Sequence, residues 1–178
     1  MNTIYKPFLL LGCVILMSNN YARDIHEHLK KREVKMSIDQ NKETVRRLYE
    51  DCLNKRNYAL LKELIGDDYA GDGVGKGPAG FEHTIKGLIE SFPDIQWKVD
   101  DLIGEGDEVV VRHSWIGTNK GVFRGIPATN KSITNDGIGI FLFKDNKIVH
   151  AWIQTDRLGF LQQLGVVPVD LFPNAPKK

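Results

Sequence analysis

The sequence predicts an α+β domain, a curved antiparallel sheet wrapping helices that precede it in the chain. Three observations lead there. Apolar residues recur at helical spacing from Val45 to Phe92, and β-rich segments follow from Ile95 to Gln154. Asp145-Asn146 joins the last two of those segments as a two-residue hairpin loop. Helices first and strands afterwards argue against alternating βαβ units. A curved sheet closed over helices leaves a cavity at its open end, and cavities of that kind bind small molecules.

The elements follow in order. Ser37-x-x-Gln40 has the form of a capping box, with Asp39 in the first turn. Behind it Val45, Leu48, Tyr49, Cys52 and Leu53 form one apolar stripe, in which Cys52 is a small core residue. Asn57 caps a short second helix carrying Leu60, Leu61 and Leu64. Residues 67–77, with the stretch YAGDGVGKG, form a flexible connection, because no strand precedes it as a nucleotide-binding loop requires. Pro78 opens a third helix with Phe81, Ile85, Leu88, Ile89 and Phe92 on its buried side. His83 falls off that stripe and reads as a solvated histidine. Strands are expected at 95–103, 109–116, 133–143 and 148–154. A tail helix, 158–164, ends at Gly165.

The chain of 178 residues is long enough for one domain with its own core, here placed at 37–168, with a tail from 169. A formal net charge of +1 leaves no electrostatic footprint for nucleic acid. Two cysteines, Cys13 and Cys52, cannot build a disulfide framework or a zinc site. No metal-ligand or phosphate-loop spacing occurs, so no cofactor is expected. The first 22 residues have a lysine before an apolar run from Phe8 to Met17, with Ala22 as a cleavage end, which is the form of a secretory signal. Leu10-Leu11-Gly12-Cys13 has the form of a lipoprotein box, which would tie the protein to a membrane through Cys13. A start at Met36 is the third possibility. Export places the protein in the periplasm or outside the cell, with 23–36 as a charged linker; an internal start leaves it cytoplasmic.

With a two-residue loop, Lys144 pairs with Lys147, and outward steps pair Leu142 with Val149, Ile140 with Ala151, Ile138 with Ile153 and Asp136 with Thr155. Paired side chains share a face. The core face is then aliphatic, with Asp136 and Thr155 at its end. His150, Trp152, Gln154 and Asp156 take the other face, opposite Phe141, Gly139, Gly137 and Asn135, the two glycines making room for the indole. An acid at the end of an apolar face is where desolvation raises a carboxyl pKa, so Asp136 is the candidate acid/base. The alternative is that Asp136 only turns the strand entry. Tyr49, Tyr69, Trp97, Ile138, Ile153 and Thr155 are the candidate pocket lining.

Several stretches resemble one family: NKETVRRLYEDCLNKRNYALLKELIGDDY, FPDIQW, GEGDEVVVR, FRGIPATNK and KIVHAW followed by DRLGFLQQLG. Together, from Asn41 to Gly165, they are similar to the SnoaL-like polyketide cyclases and their "ester cyclase" relatives. That resemblance implies a cone-shaped α+β barrel of the nuclear-transport-factor-two-like fold, dimeric or tetrameric. It also implies intramolecular aldol chemistry without a cofactor, with an Asp directly after the strand Trp as acid/base. This chain has Ile153 after Trp152, and Asp136 takes the position of a family pocket His. Asp156 and Arg112 match recurrent family residues, read as structural and as an internal ion pair. Three functions are open: a cofactor-free cyclase or isomerase acting on a small carbonyl compound, a binding protein for an apolar ligand, and a structural homo-oligomer.

Overall fold

No glycine or proline stands between Gly12 and Gly66, and helix-favouring Leu, Lys, Arg and Glu dominate that stretch. The computed structural model describes residues 8–70 and 75–170, with side chains from residue 22 onward except Met36. The chain forms two compact units, Met1–Ser37 and Ile38–Lys178. Helix α1, Phe8–Arg47, runs through both ranges. Ser37 is therefore inside a helix and does not start one: nothing in the preceding residues breaks the helical backbone, and a capping box acts only where the backbone before it is not helical. The segment 23–36 is helical too. The lipid expectation for Cys13, most of the signal segment and the glycines of residues 71–74 lie outside the described side chains. No described helix is long and apolar enough to cross a membrane.

In the second unit α1 continues as a π-helical stretch, Leu48–Leu53, whose wider turn buries Leu48, Tyr49, Cys52 and Leu53 together. Such insertions often occur at functional sites. Its end is tied to the sheet. The Asn54 side-chain amide donates to the Trp97 carbonyl and its oxygen accepts from the Trp97 N–H, each at 2.7 Å. Arg56, at φ +56°, donates to the Leu53, Pro93 and Ile95 carbonyls. A short 3-10 turn and helix α2 (Leu61–Leu64) lead to helix α3, Gly77–Ser91, which carries Pro78 in its first turn as expected.

The strands are β1 (Gln96–Glu105), β2 (Glu108–Thr118), β3 (Ser132–Lys144) and β4 (Lys147–Thr155), an antiparallel sheet in the order β1-β2-β3-β4. Asp100 is an extra residue in β1, and such bulges bend a sheet around what it covers. Helix α4, Arg157–Leu164, starts at Asp156, whose carboxylate accepts from the Gly159 N–H at 2.8 Å, and stops at left-handed Gly165. The α+β class with helices ahead of a curved sheet stands as expected.

The β3–β4 register differs from expectation in one place. Lys144 pairs with Lys147 and Phe143 with Ile148, but Leu142 pairs with His150, so Val149 is an extra residue. Beyond it Ile138 faces Gln154, not Ile153, and Gly137 faces Thr155. The cause is a contact from outside the hairpin. Ile148 and Val149 give their carbonyls to the Gly66 and Ala70 N–H groups at 2.9 and 3.1 Å. One extra residue inverts the faces of β3 relative to β4. Asn135, Gly137, Gly139, Phe141 and Phe143 face inward, and Asp136 and Ile138 face outward, with Ile138 52% exposed.

Candidate functional site

The inward alternation of β2 is Val109, Val111, His113, Trp115 and Gly117, four side chains and a glycine on one buried face. Among them His113 is the only titratable one. It is 3% exposed, and neither ring nitrogen has a hydrogen-bond partner in the protein. Its ring lies 5.2 Å from that of Tyr49, centroid to centroid. On the sheet side Gly137 makes room for it: a Cβ there would sit 2.8 Å from Cε1 and Nε2 of the imidazole. The two strand glycines thus serve His113 and Ile153, not Trp152.

These residues border a cavity of about 250 Å³. The π-helical stretch contributes Leu48, Tyr49 and Leu53; helix α3 contributes Phe81, Thr84, Ile85 and Leu88. The sheet contributes Trp97, His113, Trp115 and Phe141, and Ala151, Ile153 and Thr155 come from β4. Tyr69 completes the wall. Among the described lining residues there is no Asp, Glu, Lys or Arg. Edge-to-face pairs stiffen the wall: Tyr49 with Phe141 at 6.2 Å and Tyr69 with Phe81 at 5.6 Å.

Of the expected pocket residues, Tyr49, Tyr69, Trp97, Ile153 and Thr155 are brought together here, and Ile138 is not. Asp136 is exposed on the opposite face of the sheet and is no part of the cavity. The placement of both followed from a register without the bulge, and the bulge overturns it. His113 went unnoticed although its alternation with Val109, Val111 and Trp115 marks it as inward. Cys52 is fully buried, and burial, with Glu82 nearby, pushes its thiol up to about 11, so it stays protonated at neutral pH. No cluster of three metal-ligating side chains occurs among the described residues.

Burial holds the His113 imidazole below its ordinary 6.5, while Asp100 and Asp136 behind the strand pull the other way. The ring is therefore neutral at neutral pH, with one nitrogen a donor and the other an acceptor. Burial likewise raises the Tyr49 hydroxyl, which stays protonated. For His113 the unfolded chain takes up a proton first as pH falls. Its contribution to stability is complete above 6.5 and shrinks as pH drops through the window below that value. Urea unfolding at pH values on both sides of 6.5 should show a loss in the acid that is smaller in His113→Leu. An equal acid loss in both proteins would sink this account.

The family model of SnoaL-like polyketide cyclases matches residues 43–164. No curated protein matches the chain. Among solved structures, TsrD from Streptomyces laurentii is 28% identical, with a TM-score of 0.64 over 74% of this chain and 97% of its own. IdmH from Streptomyces antibioticus is 27% identical, with a TM-score of 0.63 over 71% of this chain and 99% of its own. A protein of Acidithiobacillus ferrooxidans is 28% identical, with a TM-score of 0.63 over 71% and 94%. The last two carry a provisional polyketide-cyclase assignment. A matched stretch running from helix α1 to helix α4 takes in the cavity and all four strands, so the chain belongs to the SnoaL-like polyketide cyclase family.

Proposed function

We propose that this protein binds a small carbonyl compound in the cavity and moves a proton on it with His113, as a cofactor-free cyclase or isomerase. The observation that carries this is a buried imidazole, its nitrogens unpartnered in the protein, in the lining of a mainly apolar space with no charged residue among those described. A neutral imidazole can take the α-proton of a bound carbonyl compound. The C–H bond breaks, the electron pair moves into an enolate, and the imidazolium returns the proton to the carbon or oxygen that completes the product. Burial favours that return, because it disfavours the charged ring. The second reading is a binding protein without turnover. It is favoured by the lack of any carboxylate in the described lining that would orient the imidazole and stabilise its charged form.

The test is native mass spectrometry of protein purified from its host, followed by turnover of whatever small molecule is retained. For an enzyme, His113→Gln should lower kcat far more than it raises KM, and Asp136→Asn, which only removes a weak pull on the imidazole from outside the cavity, should change both far less. A wild-type protein that returns its ligand unaltered supports the binding reading, and equal losses in the two variants would overturn the role of His113. Export belongs to this proposal as well. The same spectrum would show cleavage at Ala22 or lipid on Cys13 if it holds, and an unprocessed N-terminus if it does not.

A homodimer is the third part of the proposal. The outward face of the sheet exposes Ile116 and Ile138 at 52% each and Trp152 at 43%, an apolar area that a second copy would cover. Light scattering should report a dimer for the wild type and a monomer for Ile138→Asp. A wild-type monomer at working concentration ends this part.

A further inference from the structure

The cavity has a definite size, a definite charge and one buried polar group that no protein partner satisfies. We infer that it selects an uncharged, single-ring compound carrying a hydrogen-bonding oxygen, and that it rejects both ions and fused multi-ring compounds. The inference rests on the reading of the cavity as a ligand site and names the ligand class for it.

Size comes first. A dry apolar cavity of about 150 Å³ takes one benzene, so by proportion 250 Å³ takes roughly ten non-hydrogen atoms, one ring with a short substituent. Drug-sized molecules need more room, from about 300 Å³ upward. Helix α3 and the sheet wall the space on two sides with Phe81, Leu88, Trp97 and Phe141, and packed interiors of that kind do not yield a ring's width without cost.

Charge comes second. The polar side chains in the described lining are those of His113, Thr84, Thr155, the tyrosines and the tryptophans, and burial keeps His113 and Tyr49 uncharged at neutral pH. The Thr84 hydroxyl already donates to the Gly80 carbonyl at 3.0 Å. A carboxylate bound here would lose its water and meet no cation among the described lining residues, and Asp100 and Asp136, whose charges reach His113, would repel it. A cation would find aromatic faces but no carboxylate among the described lining residues. Arg112, 3.8 Å from Asp100, lies with it on the other side of the sheet. A neutral ligand escapes both costs.

The third element is the imidazole. Neither imidazole nitrogen has a partner in the protein or surface open to water, so a ligand oxygen that draws the ring toward the cavity satisfies a buried polar group that a hydrocarbon of the same shape leaves unpaired. Aromatic walls then hold the ring and His113 holds its oxygen.

Three small probes of nearly equal shape separate these demands: acetophenone, which is neutral, benzoate, an anion, and 1-phenylethylamine, a cation at neutral pH. A dihydroxyanthraquinone supplies the fused rings. Trp97 and Trp115 line the cavity, so quenching of tryptophan fluorescence in the full chain reports occupancy. Acetophenone should bind, both ions should bind at least about tenfold more weakly, and the anthraquinone should not bind. Ile153→Phe, at a position that borders the cavity, should weaken acetophenone by a similar factor and so place it in the cavity, and an unchanged affinity would place it elsewhere. An ion that binds within about threefold of acetophenone overturns the charge selection, and tight anthraquinone binding overturns the size limit. In both cases the cavity remains a ligand site. If none of the four probes quenches, the ligand-site reading and this inference fall together.

Discussion

Gly137→Ala is expected to weaken ligand binding by about tenfold or more while costing the fold only about 1–3 kcal/mol, the usual range for overpacking. The new Cβ would stand 2.8 Å from Cε1 and Nε2 of His113 and 3.0 Å from the backbone carbonyl of Gln154. The carbonyl belongs to the β-ladder and cannot move far. The imidazole can move, and the open side available to it is the cavity. The mutation therefore converts ligand space into protein and displaces the imidazole from its place against the sheet. Gly139→Ala is the natural comparison. Its Cβ would come within 2.7 Å of Ile153 Cδ1, the tip of a side chain that is 40% exposed and can swing toward solvent. Equal effects of the two substitutions on acetophenone binding, measured by tryptophan quenching, would show that His113 placement is not what Gly137 secures.

The contrast between the two glycines shows how much of the site was legible in the sequence. Helices α3 and α4, the Asp145-Asn146 loop and the α+β class all follow from local signals: Pro78, Gly165 and a two-residue turn of suitable composition. Tyr49 and Trp97 follow from patterning of the same kind, whereas Tyr69 sits in a connection with no periodicity. The faces of β3 could not be read this way. Ile148, Val149 and His150 carry no glycine, proline or other mark of a bulge, because the bulge is produced by backbone bonds to residues 66 and 70, far away along the chain. A register counted outward from the turn is correct up to Ile148 and wrong beyond it. That is why Ile153 and Thr155 line the cavity while Asp136 and Ile138 face away from it. His113 is a different kind of omission. The alternation through β2 carries the information, but a strand dense in valine draws attention to its propensity and away from the one polar residue on its inner face.

Phe92→Ala should be the most destabilising single change, at about 3–5 kcal/mol. Phe92 is fully buried just after helix α3, and its ring is 5.3 Å from that of Trp115, 6.0 Å from Phe123 and 5.8 Å from Phe160. These four aromatics come from the end of α3, from β2, from the connection between β2 and β3, and from α4. One truncation therefore opens a void at a junction of four segments that no single shift can fill. Collapse is further limited by the 119–131 connection, which is held by its own bonds: the Asn119 side chain accepts from the Thr129 N–H at 2.8 Å and donates to the Gly121 carbonyl at 2.9 Å. Val122→Ala, in that connection but 67% exposed, should stay within about 0.5 kcal/mol of wild type. Urea denaturation of both variants checks the pair, and a loss below about 1 kcal/mol for Phe92→Ala would mean the cluster closes around the void. Ligand binding should fall in the same variant, since Trp115 packs on Phe92 on one side and borders the cavity on the other. The ring that secures the fold here also fixes one wall of the space around His113, so loss of stability and loss of affinity should appear together in Phe92→Ala, whereas in Gly137→Ala affinity should fall much further than stability.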